Sequence, residues 1–466
     1  MAYMMQSVEY DSKDFLSWVC FDVKEGGLPN KVGFTFKKTS KAKLVMFIAM
    51  TAVISTALLG ICFLLIIDTW VRVIIALTLF LASPFIAALA VAVAVWTIGK
   101  RQIQSNTSGY LKNIEEKIGN SGAQKIAIAG SYGKSTMKEI LATVIGESKI
   151  VGVVPENHNT PVGISNFADT LTGDEEVLII ELGEYYPGDV ERLAAVVKPD
   201  FGVITGINEM HLVKMGSKEN TINTVYELAD FVEQQNLLVN TESDWAQEAI
   251  SEGNIGYSQN GVGDWSVSKS KTDLNGVEFD LSKQEAKLKV RSILLGKHQV
   301  GPLSAAAYLA MKVGLSVSEA EAGIDATTSF PRRFELALLP GGVYYVDDSY
   351  NGNRDGFLAA IDFLDQLNID GKIIYITPGL VEQGDQAEAV HKQVGRRLAS
   401  SNIDRIVLVD NKLSQIIADE IELNNPERRI DIIPDQQDFL TNVTSFSSPG
   451  DVVFVQNSQA EDFFYH

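Results

Sequence analysis

The chain has 466 residues, of which 46% are hydrophobic and 21% are charged. This composition excludes a disordered protein, a collagen-like repeat and a coiled coil, and the length predicts roughly three domains. Lys and Arg total 39 against 59 Asp and Glu, a net charge of −20, so we expect no nucleic-acid partner. The two cysteines, Cys20 and Cys62, are too few for a disulfide framework or a cysteine-based zinc site.

Two long uncharged segments lie near the N-terminus, at residues 44–67 and 73–98. Each is long enough to cross a bilayer core of about 30 Å as a helix. Lysines precede the first segment and Lys100 and Arg101 follow the second, so the positive-inside rule places both ends in the cytoplasm. We therefore predict an N-terminal cytoplasmic segment (residues 1–43) and a transmembrane helical hairpin (residues 44–98) in the plasma membrane, with a cytoplasmic body. A pair of buried core helices is the alternative.

Beyond residue 103, short apolar strands alternate with glycine turns and helical patterns. Strands are predicted at residues 125–129, 177–181, 201–207, 372–377, 405–409 and 451–455, and a helix at residues 135–145. Such alternation is typical of mostly parallel sheets covered by helices on both faces. We predict an α/β fold class with a central domain over residues 103–326 and a Rossmann-like C-terminal domain over residues 327–466.

A phosphate-binding loop is the strongest chemical signal. It comprises Gly130, Ser131, Tyr132, Gly133, Lys134, Ser135 and Thr136, between a predicted strand and a predicted helix. Glycines allow backbone N–H groups to point at phosphate oxygens beside a helix N-terminus. Lys134 is expected to neutralise the β- and γ-phosphates of ATP, and the Ser135 hydroxyl to bind Mg²⁺. The general motif has a glycine where Ile128 stands, so a chance match is the alternative.

This loop and several later segments resemble, in order, the motifs of the Mur ligase family. They are the asparagine-rich loop at residues 154–164, Glu181-Leu182-Gly183, His211-Leu212, Gly296-Lys297-His298, Arg333-Phe334-Glu335 and the DDSYN run at residues 347–351. The last motif points to the UDP-N-acetylmuramoyl-tripeptide–D-alanyl-D-alanine ligase (MurF) branch. The resemblance implies a ligase in which ATP phosphorylates a substrate carboxylate and an amino acid or dipeptide amine attacks the acyl phosphate.

The resemblance also implies roles for single residues. Lys134, Glu181 and His211 would be catalytic; Ser135 and Glu181 would hold one Mg²⁺, and His211 a second. Arg333 and Asp348 would clamp the nucleotide from the C-terminal domain, and Asn159, Thr160 and Asn351 would contact the substrate. The alternatives are a surface acid for Glu181, a packed imidazole for His211, an interdomain salt bridge for Arg333 and Asp348, and a plain turn for Asn159 and Thr160.

Four features depart from the family pattern. Val225 stands two residues before Glu227, where the family typically carries a lysine that is often carbamylated. We therefore expect either another ligand for the second metal ion or weak metal binding there. Pro302 replaces an asparagine that would contact adenine. At the C-terminus, Gln456 and Gln459 replace cations that would meet an anionic substrate. The membrane hairpin stands in the place of the family's UDP-binding domain.

These observations predict a membrane-anchored, ATP-dependent amide ligase that acts on a cell-wall peptidoglycan precursor, including MurF-like addition of D-alanyl-D-alanine. An anchor in place of a UDP-binding domain favours a lipid-linked substrate. One alternative is a non-catalytic, ligase-derived membrane scaffold, which Val225 and the altered C-terminal motif favour. Another is a membrane P-loop kinase, but such kinases carry a tyrosine-rich tail, and the tail here ends with only Tyr465.

Overall fold

The structure is a computed structural model that describes residues 40–66, 70–156, 158–209, 212–350, 352–380, 386–434 and 446–457. It divides the chain into two compact units. The first reaches Gly109 and contains two long helices, and the second runs from Tyr110 to Glu461 and contains two β-sheets.

The first unit is built from helices α1 (Ser40–Ile66) and α2 (Val71–Ile114), the second of which extends into the other unit. Within them, Lys43–Leu65 and Val71–Ala94 are long and apolar enough to cross a membrane. Their outer surface carries large apolar side chains, among them Phe47 and Leu65, which are 67% and 80% exposed. Water solvates such side chains poorly, so this surface fits an apolar environment.

The first sheet has ten strands. Their bounds are β1 Gln124–Ala129, β2 Val151–Val153, β3 Val177–Glu181, β4 Phe201–Ile204, β5 Leu237–Asn240, β6 Ile255–Ser258, β7 Gly261–Val262, β8 Trp265–Asp273, β9 Gly276–Lys283 and β10 Ala286–Ser292. The spatial order is β10-β9-β8-β7-β6-β5-β4-β1-β3-β2. Strands β1 to β6 pair in parallel, and β6 to β10 pair antiparallel.

Helices accompany this sheet: α3 Lys134–Gly146, α4 Pro161–Ala168, α5 Asp189–Val197, α6 Leu212–Met215, α7 Lys218–Tyr226, α8 Asp244–Glu248, α9 Val300–Lys312 and α10 Val317–Asp325. Alternate residues of β1 join different apolar clusters. Ile126 and Ile128 pack in one, and Ala127 and Ala129 pack in the other. Because successive side chains of a strand point to opposite faces, both faces of the sheet are covered here.

The second sheet has six strands: β11 Glu335–Leu339, β12 Val343–Asp348, β13 Ile373–Thr377, β14 Arg405–Val409, β15 Ile430–Ile433 and β16 Val452–Gln456. Helices α11 (Arg354–Gln366), α12 (Ala387–Ala399) and α13 (Lys412–Asn424) connect them. The order is β11-β12-β16-β13-β14-β15, and all pairs except β11–β12 are parallel. The predicted α/β class with mostly parallel sheets is therefore confirmed.

The predicted strands are all present, but the one at residues 201–207 ends at Ile204. The other ten strands, β2, β5 to β12 and β15, were not predicted. In strand β8 (WSVSKSKTD) Trp265 alone is buried, and the other side chains are half-buried or exposed and include lysines, so the strand lacks the apolar run of a buried strand. The Asn275-Gly276 pair at its end is a strong hairpin signal that would have found it. The predicted boundary at residue 327 lies between the two sheets and stays a prediction.

Candidate active site

Three adjacent parallel strands bring the predicted site residues to one edge of the first sheet. Strand β1 lies between β3 and β4, and all three run in the same direction. The phosphate loop follows β1, Glu181 ends β3, and Thr205 and Gly206 follow β4. The carboxyl ends of parallel strands form the usual crevice for ligands in α/β proteins.

The phosphate loop is held against the residues that follow β4. The N–H groups of Ser131 and Tyr132 donate to the Gly206 carbonyl at 2.7 and 3.2 Å, and the Thr205 hydroxyl donates to the Tyr132 carbonyl at 2.6 Å. Gly130 has φ +143°, and a Cβ there would lie 2.2 Å from Thr205 Oγ1. A side chain at position 130 would therefore force the loop away from this neighbour.

Lys134, the first residue of α3, is buried and its ammonium group is paired. Its Nζ donates to Glu184 Oε1 at 2.6 Å and to the Gly130 carbonyl. Burial acts to lower the pKa of Lys134, but the carboxylates of Glu184 and Glu181 outweigh it, so the pKa is raised and the amine stays charged. The structure thus provides the positive charge that phosphate binding needs.

Glu184 was not predicted as a site residue. It follows the Glu181-Leu182-Gly183 motif directly, and the extra acid beside that motif is the signal that could have found it. Its side chain is buried, and burial raises its pKa to about 7 despite the charge of Lys134. A buried carboxylate is stable in its ionised form only when several hydrogen-bond donors or cations contact it, and Lys134 alone does not keep the pKa of Glu184 at its usual value.

Glu181 lies between a hydroxyl group and an amide. Ser135 Oγ donates to Glu181 Oε2 at 3.1 Å, and Asn159 Nδ2 donates to Glu181 Oε1 at 3.2 Å. The structure therefore brings together the two residues expected to hold one Mg²⁺, plus Asn159, which the sequence placed with the substrate. Lys138, which the sequence did not single out, is fully buried with its Nζ 3.9 Å from Glu181 Oε2.

The donor set around Glu181 fits Mg²⁺. Hydroxyl and carboxylate oxygens are hard ligands, and Mg²⁺ keeps several waters and phosphate oxygens besides one or two protein ligands. Within the described parts of the chain, no three His, Cys, Asp or Glu side chains group closely enough to hold a metal ion alone. Ser135 and Glu181 would hold the ion together with nucleotide oxygens. His211, the expected second ligand, lies outside the described residues.

The expected substrate contacts have different positions. Thr160 is the N-cap of α4, and its hydroxyl accepts from the Gly163 N–H at 3.4 Å, so the side chain has a local structural role. The preceding Asn159 faces Glu181 as described above. Asn351 lies outside the described residues.

Arg333, from the segment before the second sheet, reaches the helix of the phosphate loop. Its Nη1 donates to Thr136 Oγ1 at 3.4 Å, and its Nη2 donates to Glu156 Oε1 at 3.1 Å. The guanidinium also lies 4.5 Å from the centre of the Tyr350 ring. The ion pair with Glu156 is a salt bridge of the kind named as the alternative for Arg333. The expected contact between Arg333 and a nucleotide stays a prediction, which the position beside Thr136 suits.

Asp348 does not join Arg333 at the loop. Its Oδ2 accepts from Gln456 Nε2 at 2.8 Å, and the Tyr375 hydroxyl donates to Gln456 Oε1 at 2.6 Å. Burial without a cationic partner in direct contact raises the pKa of Asp348 to about 8. In this chain Gln456 is fully buried and is hydrogen-bonded to Asp348. The expectation that a cation at this position would meet the substrate stays a prediction.

We expect Asp348→Asn to remove one source of pH-dependent stability. The folded chain keeps the Asp348 proton up to a pKa of about 8, whereas an unfolded aspartate loses it near about 3.9. Between these values the folded state binds more protons, so this carboxyl lowers the free energy of unfolding as pH rises from about 4 to about 8. In thermal unfolding, the melting temperature of the variant relative to that of the wild type should rise from about pH 5 to about pH 8. A pH-independent difference would contradict this.

The other departures lie in packed positions. Val225 is fully buried in α7, within the apolar cluster that includes Leu193 and Leu228. Glu227, two residues later, accepts from the N–H groups of Gly188 and Glu191 at 2.8 and 2.9 Å at the start of α5. Glu227 is thus engaged in helix capping, and Val225 is part of the core.

The Gly296-Lys297-His298 segment follows the last strand of the first sheet and packs against the residue that precedes the second sheet. The His298 ring packs against Phe334 with centroids 4.7 Å apart, and burial lowers the pKa of His298 to about 4. A neutral, packed imidazole is a structural element. Pro302 lies in the first turn of α9, where a missing N–H is tolerated.

Comparisons with known proteins find family matches over most of the part of the chain that forms the two sheets. The Mur ligase middle domain matches residues 128–310, and the Mur ligase glutamate ligase domain matches residues 332–458. The UDP-N-acetylmuramoyl-tripeptide–D-alanyl-D-alanine ligase of Bacillus subtilis is 25% identical over 358 residues, which cover 77% of this chain and 76% of that protein. The Mycobacterium tuberculosis enzyme of the same name is 28% identical over 298 residues, covering 62% of this chain and 58% of that protein.

Solved structures share the fold. MurF from Acinetobacter baumannii superimposes with a TM-score of 0.66 at 21% identity, covering 77% of this chain and 79% of that one. The MurF ligase of Thermotoga maritima in complex with ADP gives a TM-score of 0.65 at 21% identity, covering 77% and 82%. The chain therefore belongs to the Mur ligase family of ATP-dependent ligases that form carbon–nitrogen bonds.

Proposed function

We propose that this protein is a membrane-anchored ligase that joins an amino acid or dipeptide to a peptidoglycan precursor through an acyl phosphate. MurF-like addition of D-alanyl-D-alanine is the reaction that the names of its relatives favour. The observation that carries the proposal is the meeting of Lys134, Ser135 and Glu181 at one sheet edge, with Arg333 reaching the same loop.

This arrangement suits phosphoryl transfer to a carboxylate. The reaction places growing negative charge on the transferring phosphoryl group, so catalysis depends on positioned cations more than on a protein nucleophile. Lys134 supplies a charge at the loop, and Arg333 supplies a second beside Thr136. Mg²⁺ held by Ser135 and Glu181 would neutralise further phosphate charge. An amine then displaces phosphate from the acyl phosphate and forms the amide bond.

The anchoring part of the proposal rests on the first unit. Two helices of spanning length expose large apolar side chains, which a bilayer would cover. The catalytic body follows the second helix, which favours an acceptor that lies at the membrane surface. We therefore propose a lipid-linked precursor as the acyl substrate.

Fractionation tests the anchor. The full chain should sediment with membranes and require detergent for release, and a chain of residues 103–466 should stay in solution and bind ATP. A full chain that is released by high salt alone would contradict the anchor.

An acceptor assay tests the reaction. ADP release is measured with Mg²⁺, ATP and D-alanyl-D-alanine, in the presence of either a UDP-linked or an undecaprenyl-linked muramoyl-tripeptide. We expect release to depend on both the acceptor and the dipeptide, and to be faster with the lipid-linked acceptor. Faster ADP release with the UDP-linked form would overturn the lipid proposal. ADP release that requires neither of the two muramoyl-tripeptides would overturn the ligase proposal.

A further inference from the structure

The strongest unexplained contact in the site is the ion pair between Lys134 and Glu184. Glu184 Oε1 lies 2.6 Å from Lys134 Nζ, and the Glu184 side chain is 3% exposed. Lys134 is the residue that the loop offers to the β- and γ-phosphates of a nucleotide. A buried carboxylate therefore already holds the cation on which phosphate binding depends.

We propose that Glu184 acts as a stand-in for the γ-phosphate, so that a nucleoside triphosphate must displace it from Lys134 to bind. This inference rests on the proposed nucleotide role of the loop. It makes Glu184 a determinant of nucleotide affinity, and of the preference between triphosphate and diphosphate.

The first support is the bonding of the ammonium group. A lysine ammonium has three donors, and two of them go to Glu184 and to the Gly130 carbonyl. A phosphate that approached the remaining donor would lie beside the Glu184 carboxylate in a water-poor site. Like charges repel strongly at this depth, so an ionised Glu184 and a phosphate group compete for Lys134.

The second support is that Glu184 is incompletely satisfied. Its Oε2 is buried and has no hydrogen-bond partner among the described residues. Buried carboxylate oxygens normally have partners, and an unpaired one destabilises the contact that holds it there. Glu184 therefore pairs with Lys134 when no nucleotide is bound, but the pair is weak enough for a phosphate group to replace the Glu184 carboxylate.

The third support is the position of Glu184 in the fold. It lies outside regular structure, after Gly183 in the connection between β3 and α5, and Tyr186 in the same connection is 55% exposed. Glu181, by contrast, is fixed within β3. Because Glu184 belongs to no strand, its buried side chain can turn away from Lys134 without disturbing the strand that carries Glu181.

The test compares nucleotide affinities of the full chain in detergent, with Mg²⁺ and either AMP-PNP or ADP as the probe. Five proteins are measured by calorimetry: the wild type, Glu184→Gln, Lys134→Ala, the double variant of these two and the control Glu176→Gln. Glu176→Gln is the matched control, because it removes a carboxylate that pairs with Lys149 at 3.0 Å, at the other end of β3.

We expect Glu184→Gln to bind AMP-PNP at least about tenfold more tightly than the wild type. In this variant the nucleotide does not have to break the charged hydrogen bond between Lys134 and Glu184 before it binds. The gain for ADP should be smaller, because ADP lacks the phosphate that Glu184 replaces. The double variant should lose the gain, and Glu176→Gln should bind like the wild type. Without nucleotide, Glu184→Gln should melt at a lower temperature, because Lys134 loses its counter-charge.

Equal or weaker AMP-PNP binding by Glu184→Gln, with binding still dependent on Lys134, would overturn this inference and leave the proposed function standing. Absence of nucleotide binding in every protein would overturn the proposed function as well. If Glu184→Gln does not fold, Glu184→Asp provides the test. It keeps the charge but withdraws it from Lys134 by one methylene group, and it should also tighten AMP-PNP binding.

Discussion

Lys134→Ala is expected to abolish ATP-dependent turnover while leaving the fold intact. The lysine ammonium is the buried cation at the phosphate loop, and its loss removes charge stabilisation from the transferring phosphoryl group. Removal of one such group typically costs about a hundredfold or more in kcat, or roughly 3 kcal/mol. The pKa of Glu184, raised to about 7, allows that carboxyl to take up a proton when its partner is gone, so the core tolerates the change.

The measurement is ADP release at saturating acceptor and dipeptide, together with the melting temperature. Lys149→Ala is the control, since this lysine also pairs with a glutamate, Glu176, but lies away from the loop. Turnover in Lys149→Ala should match the wild type. Near-wild-type ADP release by Lys134→Ala would show that the loop does not bind the transferring phosphate.

Val225→Lys is expected to cause the largest loss of stability among the substitutions considered. The family pattern suggests that a lysine here would restore a carbamate beside a second metal ion, with a gain that grows in bicarbonate. In this structure, however, Val225 is fully buried among apolar side chains. A lysine at such a site must either lose its charge or let water enter the core. We expect the free energy of unfolding to fall by at least about 3 kcal/mol.

Melting temperature and turnover, measured together with and without added bicarbonate, separate the two outcomes. Val225→Met is the matched control, because it adds length without charge, and such overpacking typically costs about 1–3 kcal/mol, less than we expect for the lysine. We expect a large fall in melting temperature for Val225→Lys alone, with no bicarbonate-dependent gain. A stable, more active lysine variant that responds to bicarbonate would show that the family's second metal geometry is retained.

Short motifs and apolar runs allowed much of the site to be predicted. The loop at residues 130–136 and Glu181 could be predicted because each belongs to a short motif whose residues are adjacent in the sequence. The strands around them were identified because buried parallel strands are continuous apolar runs, as in Val177–Glu181. Half-exposed strands such as β8 were missed because they carry a weaker pattern. The short strands β2 and β5 were missed because runs of three or four residues give little periodicity to detect.

The sequence by itself determined the α/β class, the two apolar helices, the phosphate loop and the order of the family motifs, since each is written in local composition and spacing. Only the tertiary structure decided which side chains meet. Glu184 contacts Lys134 because β3 lies next to β1, and Gln456 contacts Asp348 because β16 pairs with β12. Arg333 reaches Thr136 across 197 positions of sequence. Such contacts depend on strand order and burial, and both are set by the packing of the whole chain.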